Sequence, residues 1–336
     1  MQSVTHYFVC RSPFHCFIAN KIVEGFISPA EKVVIFVESA NIPNIMRSSG
    51  EIEIIQLEGY SGSRGGWCQA SNNIGKIIKK IQQCSGGVAL YLTDIRWPTN
   101  NKLYFELRSL PRLKICYFAE GLASYINRSD RFSLAFKSMA KYALSIFHLS
   151  APYRPFWGDN LGYERKDVDC LYAPCVDRIN TRLRKIEVLV ESEINKAPLH
   201  NALLFLGQPL EQKIKTEGEL SSIVMSTIEK IKKMSYNELY YKPHQFEGPL
   251  ARTIFESNGF TVIDDVGMFE EWVSKEWNGQ AVASYFSTAL ITTRMLLSKK
   301  SHIYSINFDR VAAAYMKTKD RDELKRSLEY FGCVFV

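Results

Sequence analysis

Apolar residues along the chain fall into short runs separated by stretches of helical period. Tyr7-Phe8-Val9-Cys10 is β-prone, Arg11 to His15 reads as a turn, and residues 16–26 form a helix with Gly25 near its end. Residues 32–38 (KVVIFVE) are apolar almost throughout, the pattern of a parallel strand buried on both faces. Residues 51–57 alternate more and read as a strand nearer an edge. Ser61-Gly62-Ser63-Arg64-Gly65-Gly66 reads as a flexible loop leading into a helix through Gln83. A strand at 88–93, a helix at 100–109 and a strand at 113–118 follow, the last stopping at Ala119-Glu120-Gly121. Such β-α-β alternation with short links predicts a doubly wound parallel sheet.

Residues 126–195 read as mostly helical and richer in Lys and Arg, with a Pro-, Gly- and Trp-rich loop at 151–162. A helix over 185–196 would end at Ala197-Pro198, a natural domain junction. A second α/β pattern then starts afresh. Strand 202–206 runs into Gly207-Gln208-Pro209, helix 217–234 is amphipathic, and strand 238–241 ends at Lys242-Pro243-His244. Helix 250–257, strand 261–263, short helix 269–275 and strand 281–286 lead to Ser287-Thr288. Helix 289–298, strand 302–306 and a charged amphipathic helix at 319–331 complete the pattern. The expected organisation is a Rossmann-like domain over 1–195, a second over 200–315, and a C-terminal helix and tail over 316–336. Two such domains in tandem place a ligand cleft between them.

Composition narrows the partners. At 336 residues the chain exceeds a usual single core, and 46% hydrophobic with 23% charged residues is ordinary for a globular protein. A net charge of +7 suits an anionic small molecule or an anionic membrane surface. No dense Lys/Arg stripe with interleaved aromatics argues for nucleic acid. The eight cysteines form no CxxC pair, which reads as a reducing cytoplasm without disulfides or a structural metal. No signal peptide is read at the N-terminus, and the apolar run at 132–149 is interrupted by Lys137, Lys141 and His148. Neither GxGxxG nor GxxxxGK[ST] occurs.

Ligands of open α/β sheets bind beyond the carboxyl ends of the strands, so polar residues there are the candidates. Glu120 before Gly121 offers a general base beside a close backbone approach, or a plain turn. Gln208 can contact a base or phosphate, or simply break a strand. His244 stands beyond a β-prone tyrosine run with Lys242 two residues before it; a loop-capping histidine is the plainer reading. Ser287 and Thr288 open a helix, where capping and anion binding coexist. Glu270 and Glu271 favour a helix start through the dipole, and a carboxylate there can also hold ribose hydroxyls.

Taken together these residues resemble the bacterial sialyltransferases of the lipooligosaccharide and polysialyltransferase type. Those families share an (Asp/Glu)-(Asp/Glu)-Gly motif, then a His-Pro motif, then a Ser-Ser/Thr motif. Ala119-Glu120-Gly121, His244-Gln245 and Ser287-Thr288 fall in that order. Phe205-Leu206-Gly207-Gln208-Pro209-Leu210 resembles the opening of the family's second domain, and Val9-Cys10-Arg11-Ser12-Pro13-Phe14-His15 its N-terminus. The resemblance implies an α/β GT-B fold, two Rossmann-like domains facing across a cleft, with neither metal nor other cofactor. It also implies inverting transfer from a CMP-sialic acid donor to a glycan acceptor, a galactoside or sialoside of a bacterial surface glycan. Glu120 would be the base, His244 the acid or phosphate partner, Ser287 and Thr288 the phosphate holders, and Glu271 or Glu270 the ribose ligand. Gly121, Gln208, Lys242, Ser12 and His15 would complete the substrate-contacting set. Two positions depart from the pattern: Ala119 replaces the first acidic residue, and Gln245 the proline after the histidine.

Three alternatives stay open: the same chemistry with CMP-Kdo or a nucleotide diphosphate hexose, a nucleotide-sugar hydrolase or isomerase of the same fold, and a non-catalytic sugar-binding relative. A cytoplasmic location is expected, with a possible peripheral contact at the inner face of the cytoplasmic membrane. The basic group Arg128, Arg131, Lys137, Lys141 and Arg154 either meets anionic lipid there or is a solvated face beside a buried helix.

Overall fold

β-branched and aromatic runs pair into parallel sheets in both halves of the chain. The computed structural model describes residues 3–38, 52–58, 64–126, 131–146, 153–158, 161–190, 200–244, 246–264, 269–297 and 300–336. The chain divides into two units, Met1–Leu189 and Val190–Val336.

The first unit runs β1 (Val4–Cys10), α1 (Pro13–Phe26), β2 (Lys32–Val37), β3 (Ile52–Gln56), α2 (Arg64–Gln82), β4 (Gly87–Leu92), α3 (Pro98–Leu107) and β5 (Leu113–Phe118). It continues with α4 (Arg131–Ser145), β6 (Cys170–Ala173) and β7 (Arg184–Glu187). Its parallel sheet has the order β3-β2-β1-β4-β5-β6-β7, so strand order reverses between β1 and β4. β3 is the edge strand its alternation predicts. Phe8, Val34, Phe36, Leu90, Tyr117 and Phe118 are fully buried in the middle of the sheet. Removing a side chain of that size from water is worth about 1.5–3 kcal/mol.

The second unit runs β8 (His200–Leu206), α5 (Glu217–Lys232), β9 (Glu238–Lys242), α6 (Pro249–Ser257), β10 (Thr261–Val262), α7 (Phe269–Lys275) and β11 (Gly279–Ser284). It ends with α8 (Thr288–Leu296), β12 (His302–Ser305), α9 (Phe308–Tyr315), α10 (Thr318–Tyr330) and β13 (Cys333–Phe335). The sheet order is β10-β9-β8-β11-β12-β13, again parallel, with its reversal between β8 and β11. Phe205, Tyr241 and Phe255 stack to lock α6 onto the sheet, with Tyr241 and Phe255 centroids 4.0 Å apart.

Four expectations change. α1 begins at Pro13, because Ser12 caps it and a proline at the first helical position is favourable rather than turn-forming. Arg64 to Gly66 belong to α2, while 61–63 lie outside the described residues. The stretch 126–195 is not mostly helical: β6 and β7 extend the sheet, and the expected helix 185–196 begins as strand. Lys185-Ile186-Glu187-Val188 alternates polar and apolar, a period of two that pairs with β6. The Ala197-Pro198 junction and Gln245 lie outside the described residues. Helix α9 was not expected at all.

Candidate functional site

Each unit gathers polar side chains at the carboxyl ends of its central strands. In the first unit these follow β2 (Glu38), β1 (Arg11), β4 (Asp94, Arg96) and β5 (Glu120), which are consecutive in the sheet. Ser12 accepts the His15 N–H at 3.2 Å, so its hydroxyl is a helix cap. That cap fixes the first turn of α1 and aims the buried His15 ring. The Arg11 N–H donates to His15 Nδ1 at 3.2 Å. The ring proton therefore sits on Nε2, which donates to the Glu120 main-chain oxygen at 3.3 Å. Burial, reinforced by Arg11, pushes His15 down to about 4, so the ring is neutral at physiological pH.

Glu120 is held from three sides. Its N–H donates to Ser124 Oγ at 2.8 Å, Arg96 Nη2 lies 3.6 Å from Oε1, and His15 Nε2 lies 3.6 Å from Oε2. Oε2 is buried with no hydrogen-bond partner among the described residues. Burial first, and the neighbouring Asp94 carboxylate second, push Glu120 up to about 8 against the pull of Arg96. Burial would also raise the fully buried Asp94, but Arg96 and a hydrogen bond shared with the Glu120 side chain together outweigh it. Asp94 Oδ1 accepts the Arg96 N–H at 2.7 Å and Oδ2 its guanidinium at 3.1 Å, and the carboxyl stays ionised. Gly121 follows with φ 107°, a left-handed conformation that turns the chain at once into the short helical turn Leu122–Tyr125.

A second tier holds this arrangement. Arg11 stacks on Trp97 at 3.3 Å from the ring centroid and pairs with Glu38 at 3.4 Å. Glu38 accepts from Thr99 at 2.6 Å and Asn73 at 3.2 Å. Lys141, expected on a basic surface, instead turns inward and donates to the Arg96 carbonyl at 2.7 Å. Burial lowers it to about 8. Among its expected companions, the Arg128 residue and the Arg131 side chain lie outside the described residues, while Lys137 and Arg154 are exposed.

In the second unit the corresponding positions follow β9 (His244), β8 (Gln208) and β11 (Ser287). The Gln208 amide pairs both ways with the Phe286 backbone: Oε1 accepts the Phe286 N–H at 3.0 Å, and Nε2 donates to the Phe286 carbonyl. It thus fastens the end of β8 to the approach to Ser287. Ser287 Oγ accepts the Ala289 N–H at 3.1 Å as the cap of α8, and its own O–H stays available to donate. Thr288 is the first residue of that helix.

His244 Nδ1 accepts the Phe246 N–H at 3.2 Å, which leaves Nε2–H as the outward donor. Burial, then Lys242, lowers its pKa, so this donor is a neutral imidazole. The His244 N–H donates to Glu247 Oε2 at 2.9 Å. Glu247 packs against Gly207 so closely that a Cβ there would sit 2.2 Å from Oε2. Burial pushes Glu247 up to about 7. The two acidic residues of α7 separate: Glu271 pairs with Lys275 at 2.6 Å on the surface, whereas Glu270 is buried and raised to about 7 by that burial. Lys242 opposes the shift of Glu270, which puts the two in one electrostatic neighbourhood.

Sequence reasoning missed Asp94, Arg96, Lys141 and Glu247 as parts of these clusters. Asp94 had the same signal as Glu120, an acidic residue just past an apolar strand. Among the described residues, no group of three or more His, Cys, Asp or Glu is placed to hold a metal ion, and no helix is long and apolar enough to cross a membrane.

No family model and no curated protein sequence matches the chain. Solved structures do. The GT-B domain of a sialyltransferase from Photobacterium damselae aligns at TM-score 0.52 and 10% identity over 99% of this chain and 99% of that one. UGT2 of Phytolacca americana, complexed with UDP-2-fluoroglucose and pterostilbene, aligns at 0.51 and 8% identity over 98% and 85%. An assigned, rather than demonstrated, UDP-N-acetylglucosamine 2-epimerase from Listeria monocytogenes aligns at 0.54 and 10% over 97% and 92%. At such identities the likeness is one of fold, and the fold is GT-B.

Proposed function

We propose that the protein is an inverting, metal-independent glycosyltransferase that moves sialic acid from CMP-sialic acid to a hydroxyl of a galactoside or sialoside in a bacterial surface glycan. The observation that carries the reading is Glu120: a carboxyl at a strand end, buried and raised to about 8, with Oε2 unpartnered among the described residues. Ionised, it takes the proton of the acceptor hydroxyl while that oxygen forms the new glycosidic bond. The old bond breaks with its electron pair passing to the CMP phosphate. Charge growing on that phosphate is met by fixed donors: His244 Nε2–H, the hydroxyls of Ser287 and Thr288, and the first N–H groups of α8. Lys242 adds positive charge, and Glu270, rather than the surface-paired Glu271, holds the ribose hydroxyls. Gly121 allows the acceptor close to the backbone, while Ser12, His15 and Gln208 position these groups.

The test is CMP release by the purified protein from CMP-sialic acid with a panel of galactosides and sialosides, with and without a chelator. Release that needs an acceptor and ignores the chelator is expected. Release only from CMP-Kdo or a UDP-hexose would move the donor assignment, release without acceptor would make the protein a hydrolase, and no release from any nucleotide sugar would overturn the reading.

A further inference from the structure

Helix α4 is inside out. At roughly 100° per residue its positions divide into two sides. Ala135, Ser138, Lys141, Tyr142 and Ser145 face the protein, and Phe136, Lys137, Met139, Ala140, Ala143 and Leu144 face solvent. The inner side carries the polar work. Ser138 Oγ accepts the Phe156 N–H at 3.2 Å, Ser145 Oγ accepts the Tyr153 N–H at 2.7 Å, and Lys141 reaches the Arg96 carbonyl at 2.7 Å. The outer side is apolar except for Lys137: Phe136 is 77% exposed, Leu144 57% and Met139 53%, with Ile146 just beyond the helix at 51%. The strap 153–156 is tied along the helix by the two serine bonds and ends beside Trp157, which is 71% exposed. A helix on a globular surface ordinarily shows the opposite polarity, and a contiguous apolar face marks a partner.

Charge selects the partner. Residues 131–158 contain no Asp or Glu, and they include Arg131, Lys137, Lys141 and Arg154. Lys137 and Arg154 are exposed. A second copy would bring two basic faces together, whereas an anionic bilayer offers opposite charge above an apolar layer. We infer that the outer face of α4 docks the protein peripherally on an anionic membrane surface, with Phe136, Met139, Leu144 and Trp157 entering the headgroup–acyl boundary. The contact rests on α4 and its strap, not on the transfer reaction, so the two stand or fall separately.

The experiment is co-sedimentation of the full chain with vesicles of phosphatidylcholine alone or mixed with phosphatidylglycerol, at low and high salt. Binding to the anionic vesicles, weakened by salt, is expected. The double variant Phe136→Ser/Leu144→Ser should bind about ten-fold or more weakly, and Lys137→Ala about five-fold, with unchanged thermal melts because all three side chains are exposed. Equal binding to both vesicle types, or variants that sediment like the parent, would overturn the inference. So would a parent dimer in light scattering that the double variant converts to monomer, since the face would then belong to a second copy. Vesicle binding uses no donor, so its failure leaves the acceptor-dependent CMP assay unaffected.

Discussion

The two units share one strand order and differ in what stands at its carboxyl edge. Counted within each unit the central order is 3-2-1-4-5 in both sheets. Beyond it the first unit gathers ionisable groups, largely buried, with Arg11 paired to Glu38 and Arg96 to both Asp94 and Glu120. The second gathers chiefly neutral groups, the Gln208 amide, His244 Nε2–H and the Ser287 hydroxyl, beside the cation Lys242. Each edge also holds a carboxyl raised by burial, and the two are partnered differently. Glu247 accepts the His244 N–H and so positions a donor. Glu120 keeps Oε2 without a hydrogen-bond partner among the described residues, which suits the base role proposed for it. The fold positions loops, and on the proposed reading the loop residues divide proton chemistry from phosphate chemistry.

If that division holds, Glu120→Gln has the largest effect: turnover falls about 100-fold or more, while affinity for CMP, measured by calorimetry, stays near the parent value. A parallel loss of CMP affinity would erase the distinction between the edges. His244→Ala comes next, with a fall in turnover of about 100-fold and, unlike Glu120→Gln, a measurable weakening of CMP binding.

Asp94→Asn sharpens the comparison through pH. In the parent protein the rate should rise with pH through the Glu120 value of about 8, because only the ionised carboxyl is a base. Removing the Asp94 charge takes away a cause of the upward shift and leaves Arg96 with Glu120 as its nearest carboxylate. Both changes favour the ionised form, so the rising limb moves to lower pH. A limb that stays in place or moves to higher pH counts against the Asp94–Glu120 pairing. The pH limb should not depend on His15, which burial keeps neutral.

The smallest effect is expected at Gln208. Gln208→Ala leaves the Phe286 N–H and carbonyl without their side-chain partner, a loss of about 1–3 kcal/mol in denaturant melts. A variant as stable as the parent would mean that the amide does not fasten β8 to β11.

What the sequence disclosed follows the same divide. Long apolar strands such as β2 and β5 were legible because burial on both faces leaves a continuous run. Glu120, His244 and Ser287 were legible because each stands just past such a run. β6 and β7 were not, because four residues each are too few for an alternation, even the visible one of β7, to be told from a helical pattern. Asp94 and Arg96 carried the strand-end signal in Thr93-Asp94-Ile95-Arg96, yet matched no motif and went unread. Lys141 was misjudged because lysines on a helix ordinarily mark its solvated side, and α4 reverses that rule. Glu247 could not be read at all, since its place depends on Gly207 from another strand.

The central claim is that the first unit activates the acceptor and the second holds the leaving nucleotide. The most direct measurement compares the parent protein with Glu120→Gln, following CMP release from CMP-sialic acid with and without a galactoside while CMP affinity is titrated on the same samples. Acceptor-dependent release by the parent, loss of that release in the variant, and unchanged CMP affinity are expected. Acceptor-dependent release at the parent rate by Glu120→Gln would contradict the claim.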